Sequence, residues 1–473
     1  MSNAEAVPVS GAEAAVSTIG WGEELKASFA LAWPLIIAQL AQSALFTTDV
    51  VMMGWLGTNF LAAGTLAAGL LFTCLLTASG VVGAVAPLVA QARGARDIKA
   101  VRRIVRSGLW VAFLMATLLL PLTFNIRPLY ALLGQDPEST RLAESYMQAG
   151  AWLLYPALGI VVLRALLSTW NATRVILIVT VCGVVVNGLV AYTLIFGHFG
   201  FPRLELRGAA LATGMVNALM FLALLAYVLL HRRFRRFHIL LRFFEPDWSR
   251  FRQIFRIGLP IGFTVLAEVG LFLTAQLLMG RLGTNELAAH AVALQLTSLA
   301  FNVPLALGMA ATVRVGIAYG RGDPEGVRKA GWTGLAMGTS FMALTCAVFL
   351  LFPHVLVGIF LNPEDAANAV ALGLAAIYLG IAGVFQLVDG AQVVAAHALR
   401  GLSDTKTPML LAIVGYWLIG LPTAYVLGFV LNLRGTGVWL GLAAGLAVVA
   451  LVLVTRFALR ERLGLFRNIR VPG

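Results

Sequence analysis

Charge is scarce in this chain: Asp, Glu, Lys and Arg make up 12% of its 473 residues, against roughly 25% in an average soluble domain. With 60% of residues apolar, that shortage excludes a string of soluble domains, and the apolar excess excludes disorder. Cysteine is rarer still. Cys74, Cys182 and Cys346 each lie in an apolar run with no CxxC and no His at ligand spacing, so they are expected as small core residues rather than disulfide partners or metal ligands. The stretch from Met1 to Glu24 lacks a basic segment followed by a compact apolar one, which reads as a cytosolic tail and not a cleaved signal. Also missing are HExxH, GxSxG, a DxxxD-type pair in one segment and GxxxxGK[ST]. A membrane-embedded enzyme or an ATP-driven pump therefore lacks its parts. No repeated filter segment or ring of like residues speaks for a channel.

What is present is a succession of apolar runs, near 29–54, 60–91, 104–126, 142–168, 174–199, 207–231, 254–280, 287–318, 329–361, 366–398, 407–431 and 435–458. A spanning helix needs ~20 mainly apolar residues, so these predict twelve transmembrane helices and an all-α membrane protein. The cations orient it. Of 34 Lys and Arg, 28 fall in segments that share a side with the N-terminus, and 6 (Arg127, Arg141, Arg203, Arg207, Arg281 and Arg434) fall on the other. Because Lys and Arg near span ends are retained inside, both termini are expected in the cytoplasm. The net charge of +13 is thus an orientation signal and an attraction to anionic lipid, not a nucleic-acid surface. Prolines 34, 87, 121, 156, 260, 304 and 422 fall inside spans, where each is either a static kink or a bending point.

Sliding the sequence along itself until Pro34 lies over Pro260 aligns Pro34–Ala63 with Pro260–Ala289 without a gap, and half of the aligned positions are identical. Leu56-Gly57-Thr58-Asn59 lies over Leu282-Gly283-Thr284-Asn285, and in the same register Gly94, Asp97 and Pro137-Glu138 lie over Gly320, Asp323 and Pro363-Glu364. Two six-helix bundles follow. Six is even, so both enter the membrane in the same direction, as a parallel repeat about an axis along the membrane normal. The expected domains are a tail (1–27), an N-lobe (28–231), a basic, Phe-rich cytoplasmic linker (232–253), a C-lobe (254–459) and a second tail (460–473). Two such lobes suit alternating access.

Three of the 21 carboxylates, Asp49, Glu268 and Asp389, lie well inside apolar spans, where a charge costs on the order of 2.5 kcal/mol or more. Each could be a protonated structural hydrogen-bond partner. No Lys lies inside a span, and Arg164, Arg314 and Arg400 are near cytoplasmic ends, which leaves the acids free for mobile cations: a proton, sodium or an organic cation. Competition among these for one site is the chemistry of an antiporter. Polar neighbours accompany them. Gln386 and Gln392 flank Asp389 at three-residue spacing, Thr264 is one turn before Glu268, and Gln42 shares a face with Asp49 and is the repeat partner of Glu268. Asn187, Gln295 and Asn302 add uncharged polar groups to spans five and eight, where bridging helices is the commoner role. His397 could shuttle protons or simply pack.

Taken together, Asp49-Val50-Val51-Met52-Met53-Gly54, Gly258-Leu259-Pro260 followed by Glu268, Thr312-Val313-Arg314-Val315-Gly316, Gln386-Leu387-Val388-Asp389-Gly390-Ala391-Gln392 with Leu399-Arg400-Gly401, and Gly134-Gln135-Asp136-Pro137-Glu138 resemble the multidrug and toxic compound extrusion (MATE) family, over about residues 28–458. Glu268 and Asp389 together resemble its NorM-like bacterial branch. The resemblance implies the MATE fold of the MOP superfamily and a monomeric antiporter in the bacterial inner membrane. Such an antiporter exports amphipathic and cationic drugs in exchange for Na+ or H+, with no other cofactor. It also implies that Glu268 and Asp389 form the C-lobe cation site, a possible Na+ site, and that Asp49 is the N-lobe acid. Asn187 matches the first polar position of the span-five motif, but Ala191 replaces the second, and Gln295 stands where Asn is common. A lipid-linked oligosaccharide flippase of the same superfamily is the alternative; its anionic diphosphate would call for cations in the cavity.

Overall fold

The computed structural model describes residues 20–132, 136–245, 247–362, 364–365 and 368–466. The outer parts of both expected tails, Gly134 and Gln135 of the family resemblance, and Pro363 of the repeat lie outside the described residues. Twelve helices are long and apolar enough to cross a membrane: α1 Trp21–Leu56, α2 Thr58–Gly94, α3 Ile98–Phe124, α4 Pro137–Thr169, α5 Thr173–Phe196, α6 Glu205–Leu230, α7 Trp248–Leu282, α8 Thr284–Gly320, α9 Pro324–Leu351, α10 Ala369–Gly401, α11 Lys406–Val430 and α12 Arg434–Ala458. They match the twelve apolar runs in number and order. The protein is an all-α, multi-pass membrane protein.

The repeat is visible in the joints. Gly57 and Gly283 link α1 to α2 and α7 to α8 with φ of 124° and 145°, a backbone region open essentially to glycine. Asp97 and Asp323, repeat partners in the same register, cap α3 and α9 through the same bond, at 2.8 Å: Asp97 Oδ1 accepts from Ala100 N–H and Asp323 Oδ1 from Gly326 N–H. Such caps satisfy amides that a helix start leaves without partners. The prolines divide into two kinds. Pro34, Pro121, Pro260 and Pro304 sit within continuous helix. Pro87, Pro156 and Pro422 instead stand in the first turn of a segment that resumes after an irregularity, Val85–Gly94, Leu154–Thr169 and Leu421–Tyr425, where the missing N–H costs least. In α11, wide turns at Val414–Gly420 and Val426–Val430 flank Pro422.

Two large apolar clusters fill the interior. One is built from the first six spans and the other from the last six, with an exchange at the start of each set. Ile254, Ile257 and Ile261 of α7 belong to the first cluster, whereas Leu31 and Ala32 of α1 pack in a third, smaller group with Leu307, Ala310, Val313 and Ile317 of α8. After Pro34, α1 returns to the first cluster through Leu35 and Ala38; after Ile261, α7 joins the second through Ala267 and Leu271.

The connector between α6 and α7 is pinned to the first set of spans. Phe234, Phe237 and Ile239 are buried, Arg106 Nη1 donates to the carbonyl of Arg242 at 2.7 Å, and Trp110 Nε1 to that of Phe243 at 2.9 Å. Its last stretch has already become helix, since α7 starts at Trp248 with Asp247 as its cap.

Cys74 and Cys346 are buried, but Cys182 is exposed, which corrects the expectation of three core cysteines. It lies among Ile178, Val181, Val185 and Leu189, all exposed. These positions recur on one face of α5, the face turned out of the bundle, toward lipid in a membrane.

Candidate functional site

In the first half, one acid is fully enclosed. Asp49 of α1 is 4% exposed and both of its oxygens accept hydrogen bonds: Oδ1 from Asn187 Nδ2 of α5 at 2.7 Å, and Oδ2 from Thr213 Oγ1 of α6 at 2.6 Å. Asn217, one turn on, donates to the Thr213 carbonyl at 2.8 Å. Asp49 and Asn187 are thus brought together as the sequence pattern suggests, while Thr213 carries no such signal. Ala191, where a second polar residue is common in the family, is completely buried, so three helices rather than one supply the polar groups. Gln42 is half-buried, and Gln39, one turn before it, accepts from Arg164 Nη2 at 3.0 Å.

The second half is organised the opposite way. Asp389 of α10 is 4% exposed, and Gln386 and Gln392 are as deeply buried. Their amide nitrogens are engaged, Gln386 Nε2 with the Thr297 carbonyl at 3.4 Å and Gln392 Nε2 with the Tyr416 hydroxyl. Three oxygens are left without a donor: Gln386 Oε1, Asp389 Oδ1 and Gln392 Oε1. Their residues recur at every third position of one helix, with backbones about 4.5 Å apart along its axis. Buried acceptors in such a row are what a cation needs, because each one left alone costs on the order of 1–3 kcal/mol.

Glu268 of α7 is half-buried. Trp417 holds this part of α7 in place: its Nε1 donates to the Ala267 carbonyl at 3.1 Å, and its ring fills the space a side chain at Gly270 would occupy. Thr264, one turn before Glu268, spends its hydroxyl on the Pro260 carbonyl at 2.8 Å. It lines a small cavity with Gln392, Arg400 and Tyr416. Gln295 of α8 is exposed. Asn302, two turns further, accepts from Ser43 of α1 at 3.4 Å, a bridge between the two halves.

One expectation needs correction. Arg400 is at the end of its span by sequence, yet its side chain turns inward to the cavity beside Thr264, Gln392 and Tyr416. The acid pair therefore has a fixed cation nearby. Sequence position does not reveal it because a long side chain at a helix end can run toward either water or protein.

At the end of the bundle that carries most of the cations, the two halves are clamped together. Glu24 of α1 and Arg314 of α8 form a bidentate ion pair, and Gln91 of α2 donates to the Gly401 carbonyl at 2.8 Å and to Ser403 Oγ at 2.9 Å. Backbones meet there too. A Cβ on Gly94 would lie 2.2 Å from the Ile317 carbonyl oxygen and 2.9 Å from Gly320 Cα.

The MatE family model matches residues 34–193 and again 260–426, and the two matches begin at the repeat-related Pro34 and Pro260. The chain belongs to the MATE family. Within it, this MATE protein is 44% identical over 439 residues to a probable multidrug resistance protein NorM of Brucella suis biovar 1 (strain 1330), covering 92% of this chain and 93% of that one. It is 46% identical over 443 residues to its namesake in Rhizobium meliloti (strain 1021), covering 94% and 95%. Among solved structures, the eukaryotic MATE transporter AtDTX14 superposes with a TM-score of 0.85 at 22% identity, over 96% of this chain and 99% of that one. A multidrug resistance MATE transporter in an outward-facing conformation gives 0.84 at 22%, over 95% and 98%. These structures share the MATE fold, as expected from the resemblance, and the NorM relatives place this MATE protein among transporters.

Proposed function

We propose that this MATE protein is a multidrug efflux antiporter that exchanges amphipathic or cationic organic compounds for Na+ or H+ at the acids Glu268 and Asp389. The row of donorless oxygens around Asp389 carries this reading, because a single cation can satisfy several buried acceptors at once. The names of the NorM relatives support multidrug compounds as substrates. For the coupling cation the residues offer oxygens alone, and among the described residues no group of three or more His, Cys, Asp or Glu could hold a metal. That donor set suits a weakly held alkali ion or a proton rather than a resident metal.

The N-lobe (28–231), linker (232–253) and C-lobe (254–459) act as two bodies and a tether, with both termini in the cytoplasm of a bacterium and the monomer as the working unit. The clamp at the cation-rich end supports an outward-facing reading of the present conformation. From there, an entering cation settles among Gln386, Asp389 and Gln392, weakens the attraction between the acids and a bound organic cation, and the latter leaves. Asp49, with both oxygens occupied by donors, acts from the other lobe as the acid linked to coupling or substrate binding, supported by Asn187 and Thr213. Gln42 and Gln295, less buried, offer polar contact to the transported molecule. A membrane potential of 100 mV adds ~2.3 kcal/mol per charge moved, enough for a roughly fiftyfold gradient.

The test is transport in proteoliposomes. A sodium gradient and a pH gradient, imposed separately, should identify the driving ion through efflux of a fluorescent organic cation, and Asp389→Asn and Glu268→Gln should abolish the driven component. Parent-like transport in both variants would remove the assignment.

A further inference from the structure

His397 of α10 is buried, and each of its ring nitrogens has one partner. Arg400 Nη1 lies 3.1 Å from Nε2 and the Val393 carbonyl 2.8 Å from Nδ1. An arginine only donates and a carbonyl only accepts, so the two contacts admit a single arrangement: Nδ1 carries the proton and Nε2 accepts from the guanidinium. The ring is fixed further by its surroundings. Thr312 Oγ1 of α8 donates to the His397 carbonyl at 2.8 Å, and a Cβ on Gly308 would lie 2.9 Å from the imidazole, so only glycine leaves room for it. His397 is therefore a bracket that holds Arg400. The bracketed side chain enters the cavity lined by Thr264, Gln392 and Tyr416, the first a turn from Glu268 and the second a turn from Asp389.

We propose that Arg400, positioned by His397, is a tethered counter-cation of the Glu268 and Asp389 pair that lowers the affinity for the coupling ion into the range where release is fast. This rests on the reading of Glu268 and Asp389 as the coupling site. Two carboxylates in an apolar core with no fixed positive charge would hold an entering cation too tightly to surrender it on the cytoplasmic side. One guanidinium cancels one of the two charges and leaves room for a single monovalent ion. The charged and titratable groups nearest this cavity in the chain are Glu268 on α7, Asp389, His397 and Arg400 on α10, and Lys406 and Tyr416 on α11, with Asp404 beside the cavity-lining Thr405 and paired with Arg456 of α12.

The experiment measures the concentration of the driving cation that gives half-maximal efflux in proteoliposomes. Arg400→Gln should lower it by about tenfold or more, the scale of one charge removed at short range in a protein interior, and Arg400→Lys should restore it. His397→Leu keeps the guanidinium but releases it, and should move the value in the same direction by less; His397→Gln keeps an acceptor for Arg400 and should behave as the parent. A half-maximal concentration unchanged in Arg400→Gln, or lowered but not restored by Lys, overturns the proposal. Should Arg400→Gln fail to fold, the His397 variants decide: equal values in Leu, Gln and parent overturn it. Failure of the underlying site looks different, since Glu268→Gln and Asp389→Asn would then still be driven by the gradient.

Discussion

Gly94 and Gly320 are repeat partners, one from each half of the chain, and they touch each other. A Cβ on Gly94 would lie 2.9 Å from Gly320 Cα, and one on Gly320 would lie 2.0 Å from the Gln91 carbonyl oxygen. Residues related by a twofold that also meet must lie on the axis. The close approach of two helices there depends on both being glycine.

Gly94→Val and Gly320→Val should each keep the cation-rich end from closing and cut driven efflux at least about tenfold, and the two losses should be alike because one seam is wedged from either side. Spin-label distances across that end should lengthen in both. Gly188→Ala, where a Cβ meets nothing within 4 Å, is the control that should transport normally; distances unchanged in the valine variants would count against the seam.

Glu24 is 3% exposed, so removing its charge strands Arg314 in a largely desolvated place. Glu24→Gln should shift the population away from the clamped conformation by about 3 kcal/mol, the usual scale for breaking such a pair from one side. The exchange Glu24→Arg with Arg314→Glu should recover part of it. The population read from the same spin labels checks this.

Twelve spans, their order and the repeat are legible because apolar length and glycine turns are local signals. Asp49 and Asn187 are legible as isolated polar groups in apolar helices. Thr213 is not, because a threonine in a helix ordinarily bonds back to its own turn, as Thr264, Thr180 and Thr274 do here and as Thr213 itself does to the Ala209 carbonyl at 3.1 Å; only the packing of α6 on α1 brings its hydroxyl to Asp49 as well. Tyr416 and Trp417 are likewise lost among many aromatic residues. Their direction is set by the wide turns of α11, which no periodicity in the sequence announces.

Thr213→Val keeps the shape and removes a donor to a buried carboxylate. The expected cost is about 1.5–3 kcal/mol of stability, with weaker binding of organic cations, while Thr213→Ser should retain both. Thermal unfolding in detergent and equilibrium binding of a fluorescent substrate measure the two effects, and a parent-like valine variant would detach Thr213 from the site.

Orientation is open to a direct measurement. Phe199 and Phe244 are 87% and 83% exposed, at opposite ends of the bundle by the cation count. With exposed Cys182 replaced by Ser, a membrane-impermeant maleimide added to intact cells should label Phe199→Cys and spare Phe244→Cys. The reverse pattern would invert the topology.

The exchange of helix starts between the two apolar clusters has a mechanical meaning. The first part of α1 is held by α8, and the first part of α7 is held by the first bundle, while the remainder of each helix belongs to its own bundle. Each is therefore a beam built into both bodies, so any rotation of one body against the other must bend both beams. The strain of every rotation concentrates where the beam changes support, close to Pro34 and Pro260, the points at which a backbone hydrogen bond is already missing and bending breaks none.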